Sequence, residues 1–301
     1  MKKMLITGGT VFVSQFFAEY FSEQYDVCVL NRNTRPQAQN ITLIQADRHG
    51  LGDCLKGYHF DVVLDTAYTA EDVEGLLDAL ESFDDYILIS SSAVYLETEE
   101  QPFTEDTKTG ANRFWGIYGT NKIAAEASLR KRVPGAYILR PPYLYGPGNN
   151  VYREAFVFEC AEKNRRFYLP DVGEMKLQFF HVEDLCRFIE CLLEKRPENH
   201  IFNVGNPKTV TIKKWVEYCY RVVGMKPEFV NVSADVEQRN YFPFYNYEYR
   251  LDVSRQCSLM ADTKDLELGL SEAYAWYQNH KNLVIRKPLL DYIDRNLKER
   301  K

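Results

Sequence analysis

The stretch Met4-Leu5-Ile6-Thr7-Gly8-Gly9-Thr10-Val11-Phe12-Val13-Ser14 decides the fold. A short apolar run, Met4–Thr7, ends on two glycines, and an amphipathic stretch at Val13–Gln24 follows with helical spacing. Such a strand–turn–helix unit aims backbone N–H groups and a helix N-terminus at a pyrophosphate. The usual fingerprint has three glycines: for the tight turn, for close approach of the phosphate and for helix–strand packing. Gly8 takes the first place, while Val11 and Ser14 stand at the second and third. On this turn alone, a plain strand-to-helix connection and a dinucleotide turn read equally well.

Working outward, the pattern repeats. Val27–Leu30, Ile41–Ala46, Val62–Thr66, Tyr86–Ser90 and Ala136–Arg140 read as further strands, with helices at Glu71–Phe83 and Tyr118–Arg132. Near-continuous Val, Ile and Leu in the strands suits burial on both faces of a parallel sheet. The alternation predicts a Rossmann-like, doubly wound α/β fold. Beyond Pro147-Gly148-Asn149-Asn150 the texture changes to a helix at Tyr152–Lys163, a turn-rich Leu169–Gly173, a helix at Val182–Glu194 and a strand-like Ile201–Val204. Thr211 is placed to cap a helix through Tyr220, and the tail from Leu266 reads as mostly helical. The expected division is a dinucleotide-binding domain over 1–152, to which 177–205 returns. A smaller, partly interleaved substrate lobe over 153–176 and 206–301 completes it.

The chain has 301 residues, 37 basic and 43 acidic side chains and a formal net charge of −6, with 45% hydrophobic residues. That length buries a sizeable core, and that apolar fraction excludes disorder. The acidic balance argues against nucleic-acid and anionic-membrane binding. No run approaches the ~18 apolar residues of a membrane span, and Gly8 and Gly9 interrupt the only signal-like segment. Seven scattered cysteines without a C-x-x-C pair and five scattered histidines point to no disulfide framework and no metal, and so to a reducing cytoplasm.

Two further features carry chemistry. Ser90-Ser91-Ser92 ends the fifth strand, where ligands of open α/β sheets gather. Tyr118 and Lys122, four residues apart, share a helix face, and an ammonium beside a phenol favours tyrosinate. Each alone reads as a turn or a solvated face. Their order, after a phosphate-type turn, is what gives them weight. No G-x-S-x-G elbow supports a hydrolase.

Together, TGGTVFVS, DVVLDTA (61–67), ISSSAVY (89–95), YGTNKIAAE (118–126), ILRPPYLYGPGNN (138–150), QFFHVEDL (178–185) and IFNVGNPKTVT (201–211) resemble the NAD-dependent epimerase/dehydratase family of extended short-chain dehydrogenases/reductases. The resemblance implies hydride transfer at a carbinol carbon of a sugar or nucleotide sugar. Tyr118 would be the acid/base, Ser91 its partner, and Lys122 would lower the phenol pKa and bind the nicotinamide ribose. It implies cofactor contacts at Gly8, Gly9, Thr10, Phe12, Val13, Asn31, Arg32, Asp47, Arg48, Ala67, Lys122 and Pro141, and substrate contacts at Ser92, Tyr95 and Tyr143. The family also commonly pairs as a homodimer through two long helices, here those near 71–83 and 118–132.

Departures matter as well. Leu30-Asn31-Arg32 carries no acidic residue at the end of the second strand, and Arg32 favours a 2′-phosphate, hence NADP over NAD. Ser92-Ala93 follow Ser91 where a dehydratase of the common kind would carry Asp-Glu, so an epimerase or reductase is expected. The lost glycines keep a second reading open: a non-enzymatic dinucleotide sensor or RNA-binding module on the same fold. His181 reads as structural, the aromatic run 241–249 as packing of the smaller lobe, and Arg165, Arg166 and Arg250 as candidate anion partners.

Overall fold

The computed structural model describes residues 1–298. The chain runs β1 (Lys3–Thr7), α1 (Phe12–Phe21), β2 (Asp26–Asn31), β3 (Thr42–Gln45), β4 (His59–Asp65), α2 (Ala70–Ala79), β5 (Ser82–Ile89), α3 (Ile117–Arg132), β6 (Tyr137–Arg140) and β7 (Tyr143–Tyr145). It continues through α4 (Glu154–Glu162), β8 (Phe167–Pro170), β9 (Lys176–Leu177), β10 (Phe179–His181), α5 (Val182–Lys195) and β11 (Ile201–Asn203). Next come β12 (Val210–Thr211), α6 (Ile212–Val222), β13 (Phe229–Val232), α7 (Ser254–Leu259), α8 (Leu266–His280) and α9 (Leu289–Asn296).

Seven parallel strands form the central sheet in the order β11-β6-β5-β4-β1-β2-β3, so the expected doubly wound α/β architecture is present. Along each strand, successive side chains alternate between the two faces. Met4 and Ile6 pack with Phe17 and Phe21 of α1 and Phe188 and Ile189 of α5. Leu5 packs on the other face with Val73 and Leu76 of α2 and Ala125 and Leu129 of α3. The order reverses between β1 and β4, which opens a crevice at the carboxyl ends of these strands. A separate aromatic core joins α4, α6 and α8 around Phe156, Phe158, Phe167, Trp215, Tyr220 and Phe242.

Several boundaries differ from the sequence expectation. The helix expected over 71–83 ends at Ala79, and β5 begins at Ser82 rather than Tyr86. Leu80 is already extended, with φ −69° and ψ 126°. Polar Ser82-Phe83-Asp84-Asp85 joins the sheet because β4 offers a partner edge from His59 onward, pairing His59 with Ser82 and Phe60 with Phe83. Backbone pairing, which hydropathy does not report, sets that boundary. Thr211 does cap α6, accepting from the Lys214 N–H at 3.2 Å.

Candidate active site

Gly8 and Gly9 adopt φ +92° and +83°, left-handed values that suit residues without a Cβ. A Cβ on Gly9 would lie 2.6 Å from the Val29 side chain, so the turn closes directly onto β2. Val11, by contrast, has ordinary extended backbone (φ −142°), which a branched residue adopts without strain. Ser14 occupies the space beside Gly8, where a Cβ would meet its Oγ at 2.9 Å, and donates to the Val11 carbonyl at 3.1 Å. No side chain caps α1 and no acidic residue sits in its first turn, so its N–H groups and positive dipole end are available to a phosphate. The cradle fits a dinucleotide despite the two missing glycines. Thr10 completes the turn, and Phe12 and Val13 reach the cavity described below.

At the end of β2, the Asn31 amide donates to the Gly8 carbonyl at 2.7 Å and accepts from the Asn33 N–H at 2.8 Å. Arg32 is exposed and enters no ion pair among the described residues. Asp47 is exposed and accepts from the His49 N–H at 2.9 Å. Arg48, expected to contact the cofactor, is held by two carboxylates. Its guanidinium is bound to buried Asp65 at 2.8 Å and to Asp72 at 3.2 Å, because a carboxylate as deeply buried as Asp65 requires a partner.

Ser91 and Tyr118 meet because α3 packs tightly on the turn after β5. A Cβ on Gly119 would lie 2.4 Å from the Ala93 carbonyl oxygen, so only glycine allows this approach. Ser91, Ser92, Tyr118, Lys122, Pro141 and Tyr143 line one cavity of about 410 Å³. Lys122 is buried and donates to the carbonyls of Ala67 at 2.6 Å and Ile89 at 2.8 Å. Burial pushes its ammonium down to about 8, opposed by Asp65 and Glu126. Burial likewise holds the Tyr118 phenol above its usual value, with Ser91 and Arg153 pulling it back in part. Tyr68 covers the phenol, ring centroids 5.5 Å apart.

Tyr95, expected to touch substrate, does not line the cavity. It is fully buried, and its hydroxyl donates to Asn203 at 2.7 Å and accepts from Arg140 at 2.9 Å. Ser92 and Tyr143 do face the cavity. The Ser92 hydroxyl donates to Tyr249 at 3.1 Å, while the Tyr143 hydroxyl is buried without a hydrogen-bond partner. Arg165 and Arg166 are spent on Asp294 and Glu228. Arg250 does not line the cavity.

Sequence reasoning missed three cations. Arg153, Arg239 and Lys287 line the cavity and enter no ion pair among the described residues. Burial, together with Arg239 and Arg153, lowers the Lys287 ammonium. The only sequence signal was the setting of Arg239, just before the aromatic run 241–249. That run is more than packing: Phe244, Tyr245 and Tyr249 wall the cavity, although Tyr241, Phe242 and Phe244 also belong to the aromatic core.

His181 caps α5, its Nδ1 accepting from the Glu183 N–H at 3.3 Å. Burial and Lys264 push its imidazole down to about 3. Between that value and the ordinary ~6.5, the unfolded chain binds a proton that the folded chain refuses. Stability is therefore full above ~6.5 and falls as pH drops toward 3, by up to about 1.4 kcal/mol per pH unit. Urea titrations across this window should show a shallower acid slope for His181→Gln than for the wild type; equal slopes refute the assignment.

A family model described as "NAD dependent epimerase/dehydratase family" matches residues 4–205. The chain belongs to this family. As a member of an NAD-dependent enzyme family, it is an enzyme. The chain is similar to the chloroplast stem-loop binding protein of 41 kDa b of Arabidopsis thaliana, 28% identical over 91% of this chain and 78% of that one. It is also 28% identical to the dTDP-4-dehydro-6-deoxyglucose reductase of Escherichia coli over 44% of this chain and 43% of that one. Among solved structures, dTDP-glucose 4,6-dehydratase from Bacillus anthracis in complex with NAD aligns with a TM-score of 0.76 and 19% identity, over 96% of this chain and all of that one. UDP-glucuronic acid 4-epimerase from Bacillus cereus, in complex with UDP-glucuronic acid and NAD, aligns with a TM-score of 0.72 and 18% identity over 92% and 99%. These two establish the likeness of fold. No helix among the described residues is long and apolar enough to cross a membrane.

Proposed function

We propose that the chain interconverts a hydroxyl and a keto group on a nucleotide-linked sugar, as an epimerase or a reductase. One observation carries the reading: a single cavity holds a proton-handling set, Ser91 and Tyr118, together with three cations lacking a counter-charge. Arginine and lysine converging without carboxylates suit a diphosphate. The bound dinucleotide supplies the hydride acceptor or donor. The Ser91 hydroxyl holds the reacting oxygen, and Tyr118, kept protonated at neutral pH by burial, gives it a proton as the carbonyl is reduced. In the reverse direction Tyr118 takes that proton. Two of the three donors on Lys122 are used by carbonyls, leaving one for the nicotinamide ribose. The unpartnered Tyr143 hydroxyl reads a sugar hydroxyl.

On the cofactor side, Arg32 and the absence of a carboxylate at Asn31 favour NADP. Residues 153–176 and 206–301 act as the lobe that binds substrate, and α2 and α3, which pack on one another, pair two copies into a homodimer.

Calorimetric titration with NADH, NADPH and UDP tests the reading. Micromolar dinucleotide binding is expected, tighter for NADPH. UDP affinity should fall about tenfold or more in Arg239→Gln and Lys287→Gln, since hydrogen bonds to charged groups contribute about 1.5–3 kcal/mol. A chain that binds neither dinucleotide at millimolar concentration sinks the proposal. A second reading, RNA binding on the same fold, is favoured by the stem-loop binding relative that spans most of the chain. A structured RNA hairpin binding more tightly than UDP would turn the assignment toward it.

A further inference from the structure

We propose that Asp65 is a positioning residue that fixes the dinucleotide crevice and, through the carbonyl of Ala67, the place of Lys122. The proposal rests on the reading that this crevice takes a dinucleotide. β1 and β4 pair up to Ile6 and Leu64 and then part at the point where strand order reverses. Asp65 is the next residue on β4 and Thr7 the next on β1, and their side chains close the gap that backbone pairing leaves. The Thr7 hydroxyl donates to the Asp65 carboxylate at 2.8 Å.

The same carboxylate is fully buried and accepts from three other segments. Its donors are the Ala67 N–H at 3.0 Å, Arg48 at 2.8 Å and the Tyr86 hydroxyl on β5. Arg48 continues to Asp72, which completes the capping box of α2. Four successive N–H groups of the β4–α2 turn are thereby held by side chains. Thr66 donates to Thr7 at 2.9 Å, Ala67 to Asp65, and Tyr68 and Thr69 to Asp72 at 2.8 and 3.0 Å. A turn with every donor fixed has its carbonyls fixed too. One of these, Ala67 O, receives the Lys122 ammonium at 2.6 Å.

A buried, fully bonded charge adds little net stability over an apolar group of similar volume. What it supplies here is geometry: the width of the crevice and the position of Lys122 in the cavity that holds the acid/base. Asp65 is also the largest of the influences that keep Lys122 charged against its burial.

Asp65→Asn keeps shape and removes charge, and Thr7→Val removes only the link across the crevice. Both are titrated with NADH and, separately, with UDP, and Lys122 acylation by an amine-reactive ester is followed by mass spectrometry. Asp65→Asn should weaken NADH about tenfold or more and speed Lys122 acylation, with UDP affinity held within about twofold. Thr7→Val should weaken NADH about threefold or more without altering UDP affinity. NADH affinity unchanged in Asp65→Asn overturns the proposal, as does an equal loss of NADH and UDP binding, which marks a general loss of structure. If Asp65→Asn does not fold, Thr7→Val decides in the same way. A wild-type chain that binds UDP but no dinucleotide overturns the dinucleotide reading and this proposal together. Failure confined to the variants leaves that reading standing.

Discussion

Tyr118→Phe is expected to lower turnover by about 10²–10⁴-fold, the range of a lost general acid or base, with dinucleotide affinity nearly unchanged. Phenylalanine keeps the ring that packs on Tyr68 and removes only the hydroxyl. Because burial raises the phenol, the acid form prevails at neutral pH. Wild-type reduction should therefore be flat through neutrality and fall in alkali, whereas oxidation should rise with pH. Both limbs should disappear in Tyr118→Phe. Reduced-nicotinamide fluorescence under single-turnover conditions, with a panel of UDP- and dTDP-linked hexoses, measures the effect. Retained turnover in Tyr118→Phe removes this residue from the mechanism.

The second large effect is on stability. Glu126 on α3 and Arg140 on β6 form a buried pair, with two hydrogen bonds of 3.0 and 2.6 Å. The Ser90 hydroxyl also donates to Glu126, and Arg140 reaches the Glu105 carbonyl at 3.1 Å. Glu126→Ala strands a buried guanidinium and should cost about 3–5 kcal/mol. The double variant Glu126→Leu/Arg140→Met removes both charges and should regain most of that loss. Urea unfolding of the three chains checks it. A single-variant loss below ~1 kcal/mol would show that the pair does not anchor α3, the helix that carries Tyr118 and Lys122.

The alternation of apolar runs made the parallel sheet legible, because the stretches of strand buried on both faces are near-continuously apolar. β5 began earlier than its hydropathy implied, since Ser82–Asp85 joins through backbone pairing with β4. Ser91, Tyr118 and Lys122 were legible as an ordered motif. The partners of Arg48 and Tyr95 were not legible, because sequence records a polar residue near a motif but not the buried group that binds it. Asp65 consumes Arg48, and Asn203 with Arg140 consumes Tyr95.

By itself, the sequence determined the periodicities that make a doubly wound sheet and the local turn at Gly8 and Gly9, since both depend on neighbouring residues along the chain. Only the tertiary structure decided how tightly α3 approaches the Ser91 turn, which polar groups remain free, and that Arg153, Arg239 and Lys287 share a cavity with Tyr118. Those outcomes arise from side chains far apart in sequence competing for the same buried space and the same counter-charges, a competition that exists only once the chain has folded.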